Sequence, residues 1–237
     1  MPSDKEKLPK TLAGIAALYT KNLHDYGIGP KSVGWKDEAS QLLRFEKLVQ
    51  VIDMKAESEG ISVNDLGCGY GAMFRYLEQI PSLRLTRYYG YDISEQMLAE
   101  ANQFVADPRT KFINSPRATY KADYSFVSGT FHVKQEASDE LWTDYIKEML
   151  IHLAEISIRG FAFNAITTYV DWKQENLYYA DPFLFFDFCK RNISRHVSLL
   201  HDYPLFEWTM IVRKESVSGT SRLEEIPQKK SKEGGVR

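Results

Sequence analysis

The sequence predicts an α/β fold, a mostly parallel sheet of seven strands between layers of helix, and three observations carry that expectation. A short apolar run from Ile61 to Leu66 meets the glycines Gly67, Gly69 and Gly71, and an amphipathic run over residues 72–79 follows at once. That order reads as strand, tight turn and helix. Further along, short apolar runs alternate with segments of helical period, as in parallel strands joined by crossovers. The chain then closes with two adjacent strand-like runs instead of another helix and strand.

The elements follow in order. Over residues 8–26, Leu8, Leu12, Ile15, Ala16, Leu18, Tyr19, Leu23 and Tyr26 recur at helical spacing. Gly27, Gly29 and Pro30 break that helix, and Ser32 to Trp35 form a loop. Asp37 is placed to cap a second helix, with Leu42, Leu43, Phe45, Leu48, Val49 and Ile52 on its apolar side. These two amphipathic helices, residues 1–58, read as a lid over a cleft; packing on the sheet edge alone is the plainer alternative. Residues 59–214 form the sheet domain. Residues 87–92, RYYGYD, are its second strand and end in Asp92, and a helix follows over 94–105. KFIN, residues 111–114, is a short third strand running into Asn114 and Ser115. The fourth strand spans 123–131, with small residues at Ser128 and Gly129. A long helix is expected over 139–158 and a fifth strand over 159–166. The stretch 167–181 carries Tyr169, Trp172, Tyr178 and Tyr179, is too irregular for a helix, and is a candidate pocket wall. Pro182–Asn192 reads as helix, and His196–Leu200 and residues 207–212 as the last two strands. Residues 215–237 are rich in Ser, Lys, Glu and Gly and read as a disordered tail.

Composition excludes several classes. The 237 residues, 43% of them hydrophobic, suit one large domain with a substantial core. The net charge is −2 and the pI about 6.2, so no global basic field gathers nucleic acid or an anionic membrane. Cys68 and Cys189 suggest neither a disulfide framework nor a zinc site, and no metal-binding cluster is visible. No apolar run reaches the length of a membrane span, and the N-terminus is polar, so a cytoplasmic protein is expected.

The glycine turn carries the chemistry. Gly67, Gly69 and Ala72 satisfy the dinucleotide spacing G-x-G-x-x-G/A, so the motif alone does not decide the cofactor. Three further features do. Asp65 sits two residues before the first glycine, where a cationic amine can reach it; about 60 residues precede the strand, whereas a dinucleotide domain begins near it; and the chain ends in paired strands. DLGCGYG, residues 65–71, resembles the first motif of the class I S-adenosylmethionine (SAM)-dependent methyltransferases. The resemblance covers residues 61–213. It implies a three-layer sandwich with a C-terminal antiparallel hairpin, the N-terminal helices being the lid.

It also implies a site. SAM is the expected cofactor, held by Asp65, Gly67, Cys68 and Gly69 of the turn, by Asp92 and Ile93, by Met97 near the start of the next helix, and by Ser128 and Gly129. Asp92 would accept both ribose hydroxyls. The family binds the adenine edge just past the third strand, which carries over to Asn114 and Ser115, although the acid often found there is missing. For the SAM carboxylate, Lys31, Arg44 and the Trp35 indole N–H are candidates, and Arg44 is chosen. His132, after the fourth strand, is the candidate general base, and Trp35, Tyr169, Trp172 and His201 are the candidate acceptor pocket. The family's N/D-P-P-Y/F quartet for exocyclic amino groups is absent; SGTF, residues 128–131, stands there. With no basic stripe either, the expected acceptor is a small organic molecule rather than nucleic acid. A non-catalytic SAM-binding regulator and an NAD-dependent oxidoreductase are the alternatives.

Overall fold

The structure, a computed structural model, describes residues 4–54 and 59–214. The expected disordered tail, 215–237, lies outside the described residues. Two helices, α1 (Asp4–Tyr26) and α2 (Glu38–Leu48), precede the sheet. Then come β1 (Ile61–Leu66), α3 (Ala72–Glu78), β2 (Leu85–Asp92), α4 (Glu95–Val105), β3 (Thr110–Asn114) and β4 (Ala122–Val127). They are followed by α5 (Asp139–Ile156), β5 (Ser157–Thr167), β6 (Tyr179–Ala180), α6 (Pro182–Asn192), β7 (His196–Leu200) and β8 (Glu207–Arg213).

The sheet order is β3-β2-β1-β4-β5-β8-β7, with β6 pairing the end of β5. β1 runs parallel to β2 and β4, while β8 runs antiparallel to both β5 and β7. The tight β7–β8 connection forces that reversal, since adjacent strands joined by a short loop must run opposite ways. The seven-stranded expectation holds, and the two-residue β6 is an addition. The fourth strand ends at Val127, short of the expected Phe131, because Gly129 takes φ 74° and its carbonyl accepts the His132 N–H at 3.1 Å, closing a turn. α5 stops at Ile156 because Ser157 joins the sheet, its hydroxyl 2.7 Å from that of Ser125.

Side-chain alternation splits the core in two. Phe161, Phe163, Trp208 and Met210 face α5 and α6, packing on Trp142, Ile146, Leu150 and Phe185, and Ile15 of α1 joins them. Val63, Tyr88, Phe126, Ala162 and Ile211 face the other side, under Phe45 and Leu48 of α2 and Phe74 and Leu77 of α3. Polar caps set the helix starts, each worth about 1 kcal/mol. Asp37 accepts from the Ser40 N–H at 2.8 Å, as expected, and Ser94, Ser138 and Asp181 cap α4, α5 and α6. Every parallel strand thereby delivers its carboxyl end to one edge of the sheet, under α1 and the loop before α2.

Candidate active site

At that edge lies a cleft holding about 920 Å³ of empty space open to solvent. Its floor is the glycine turn. The N–H groups of Gly67 and Cys68 both donate to the Tyr91 carbonyl, at 2.8 and 2.9 Å, which ties the turn to the end of β2. Gly67 has φ 77°, and a Cβ there would run into the Thr130 side chain, which is itself fixed by a 2.7 Å bond to the Leu66 carbonyl. Only glycine fits both constraints.

Two carboxylates flank the turn. Asp92, ending β2, accepts the Gly69 N–H and the Ser94 N–H, each at 2.9 Å. Burial nevertheless raises its pKa, against those backbone donors. Asp65, the penultimate residue of β1, is only 2% exposed and accepts the Tyr88 hydroxyl. Burial pushes it up to about 7, with the Asp92 charge adding to the rise and the Tyr88 bond opposing it. Burial and both carboxylates also push the Cys68 thiol well above its ordinary value, so it stays a neutral filler in the turn. Among the described residues no lysine, arginine or histidine lines the cleft. A cavity with two carboxylates and no cation attracts positive charge and repels anions.

The cleft brings together Trp35, Asp65, Gly67, Cys68, Gly69, Asp92, Ile93, Met97, Ser115, Ser128 and Gly129, all expected from the sequence. The Ser128 hydroxyl is buried without a hydrogen-bond partner, a polar group left for a ligand. Other expected residues lie elsewhere. Asn114 faces an outer groove between α1 and α4, with its amide donating to the Asp92 carbonyl at 3.3 Å. Arg44 is 7% exposed and bound to Glu207 of β8, so the guanidinium is already satisfied away from the cleft. His132 is buried behind Gly129, its ring 5.5 Å from that of Trp35, and burial pulls its pKa down to about 4. It is a neutral, weakly basic imidazole at neutral pH. Tyr169 and Trp172 are exposed, and His201 packs on Tyr169 at 5.8 Å, away from the cleft.

The aromatic wall comes from other elements. Leu12, Ile15 and Tyr19 of α1, Phe45 of α2, and Trp142 and Tyr145 of α5 line it. Burial, then the Asp92 charge, push the Tyr19 phenol up to about 12, so it remains protonated. The Trp142 indole donates to the Phe131 carbonyl at 2.9 Å, which fixes that ring. The α1 stripe was visible in the sequence as helical periodicity. Trp142, one helical turn before Tyr145 at the start of α5, is the signal that sequence reasoning passed over. α1 is tied down where Thr20 meets the Ser94 hydroxyl at 2.8 Å, and α2 where Gln41 accepts the Tyr70 hydroxyl at 2.9 Å.

Comparison with known proteins agrees with this geometry. The family described as a methyltransferase domain matches residues 64–140, which span the glycine turn to the start of α5. A Mycobacterium tuberculosis protein named a putative methyltransferase is 44% identical over 162 residues, covering 67% of this chain and 96% of that protein. Magnesium protoporphyrin IX methyltransferase of Synechocystis, solved with bound SAM, superposes with a TM-score of 0.54 at 16% identity, covering 90% of this chain and 98% of that one. Human N-acetylserotonin methyltransferase, in complex with SAM, gives 0.52 at 12% identity over 87% of this chain and 67% of its own.

Proposed function

The chain belongs to the class I SAM-dependent methyltransferases, and from that premise we propose that it methylates a small, uncharged organic acceptor on oxygen, nitrogen or carbon. Its cofactor is SAM. The observation that carries the acceptor reading is the cleft's lining: two carboxylates, an aromatic wall and no cation among the described residues. The cofactor supplies a methyl group on a positively charged sulfur, which an acceptor displaces in line. The residues fit that charge. Asp65 takes the ammonium end, directly or through water, and Asp92 the ribose hydroxyls, beside the N–H it already holds from Gly69. Met97 and Ser115 flank the adenine, and Ser128 and Gly129 leave room where donor and acceptor meet.

Transfer then depends on alignment more than on proton movement, and a held near-attack geometry supplies several kcal/mol. His132 stands behind this wall, and the reading assigns it no proton transfer. Helices α1 and α2, residues 1–58, act as the lid that excludes water. Two buried free thiols suit a reducing cytoplasmic compartment.

The test is release of S-adenosylhomocysteine (SAH) from SAM over acceptor pairs of one skeleton that differ only in charge. Phenols, alcohols and aromatic amines should turn over, and the same molecules bearing a carboxylate or phosphate should turn over at least tenfold less. Equal turnover of the anionic members would overturn the uncharged acceptor.

A further inference from the structure

Behind the aromatic wall lies a buried polar network that no step of the reaction above uses. At its centre is Glu207, the first residue of β8 and 5% exposed. Its two oxygens accept the Arg44 Nε–H at 3.0 and 2.9 Å, and one also accepts from Nη2. Oε2 takes a third partner, the Asn164 amide of β5, at 2.8 Å. From there two arms reach the cleft. In the first, the Arg44 guanidinium lies over the Trp35 indole, its Cζ 3.7 Å from the ring centroid, and Trp35 lines the cleft. In the second, the Asn164 carbonyl accepts the Gly129 N–H at 2.7 Å, holding the turn at the end of β4. The arms meet again, because the Trp35 ring rests on Gly129 so closely that a Cβ there would overlap it. A third bond, Arg44 Nη1 to the Ser40 carbonyl at 2.7 Å, anchors the guanidinium to α2 itself.

Resting on the methyltransferase reading, we propose that Glu207 is a positioning residue: through Arg44 and Asn164 it fixes Trp35 against Gly129 and so sets the acceptor wall. Glu207 itself does not line the cleft; both residues it controls do. Stability alone does not account for such a pair. Taking both charges out of water is costly, and apolar residues of the same size often stabilise a core as well or better. What apolar residues cannot do is hold a flat cation over an indole while fixing a backbone N–H two strands away. The network also joins the lid, through α2 and Trp35, to the sheet, through β5 and β8, at the point where the acceptor must dock.

The test replaces the pair and watches Trp35. Wild type, Arg44→Lys and the double variant Arg44→Met/Glu207→Leu are prepared with 5-fluorotryptophan, and the Trp35 fluorine resonance is assigned with Trp35→Phe. Arg44→Lys keeps the charge beside Glu207 and gives up the guanidinium over the indole. In both variants the Trp35 resonance should shift or broaden, and amide exchange over residues 30–36 should speed at least tenfold. Melting temperature and SAH affinity by calorimetry should stay near wild type, the latter within about threefold. With an uncharged acceptor from that panel, its KM should rise at least tenfold while that for SAM stays within about twofold. An unmoved Trp35 resonance in Arg44→Lys overturns the proposal, and that result stands even if the double variant fails to fold. Loss of SAH binding in wild type would instead strike at the methyltransferase reading, so the two failures are distinguishable.

Discussion

Asp65 and Asp92 are the side chains on which the proposed cofactor site rests. Both lie at a strand end beside the glycine turn, and both are held by neighbours before any ligand arrives. Asp92→Ala should weaken SAM and SAH by roughly 10- to 150-fold, the loss of about 1.5–3 kcal/mol expected for a charge-assisted pair. Calorimetry on the folded variant checks this, and unchanged affinity would remove Asp92 from the site. Asp65 adds a pH dependence. Its folded pKa of about 7 stands above the ordinary carboxylate value of 3.8. Between those values the folded state holds a proton that the unfolded chain has released. The group therefore costs the apo protein stability as pH rises from about 4 to about 7, on the order of 4 kcal/mol at 1.36 kcal/mol per unit. A cationic ligand wants the carboxylate ionised, so SAM affinity should climb, approaching tenfold per unit, as pH rises toward about 7, and then level off. Asp65→Asn should flatten that profile; a wild-type profile already flat between pH 5.5 and 8 would free Asp65 from the ammonium.

Among the elements, α1 does more than a detachable lid. Ile15 belongs to the core beneath α5, so removing the helix uncovers Trp142 and Tyr145 as well as the cleft. Point changes are the cleaner probe. Tyr19→Ala strips one wall of the cavity and should weaken SAH by about tenfold, in line with 1–2 kcal/mol of lost apolar contact. Melting should fall only a few degrees, since the ring is half-buried. Closure is read at the connection between α1 and α2. Proteolysis within residues 27–34 should slow when SAH is added, because the neighbouring Val33 and Trp35 line the cleft. Cleavage indifferent to SAH would mean that α1 and α2 only pack against the sheet.

Across the whole molecule, ligand binding and folding are one equilibrium. SAM at 100 times its dissociation constant should add about 2.7 kcal/mol, seen as a rise in melting temperature, and NAD should add nothing. The two carboxylates flanking the turn repel a pyrophosphate, so a rise with NAD alone would overturn the assignment.

Periodicity carried most of the fold. Strands, helices, the glycine turn and the closing strand pair follow from local spacing, because burial on a helix or strand repeats with a fixed period. Asp65, Asp92, Met97 and the small residues Ser128 and Gly129 were legible for the same reason: each sits beside a strand end that the pattern marks. Three things were not legible. Tyr169, Trp172 and His201 looked like a pocket wall, yet the loop after β5 turns Tyr169 and Trp172 outward, and His201, in the β7–β8 connection, packs on Tyr169. Trp142 and Tyr145, on one long apolar-sided helix, drew no functional reading, yet α5 aims them into the cleft. Arg44 was a free cation on paper until β8 placed Glu207 beside it, 163 positions away. Local sequence specifies which side chains a segment buries; which distant partner neutralises a charge, and which aromatic faces a ligand, is decided only when strands far apart in the chain become neighbours in the sheet.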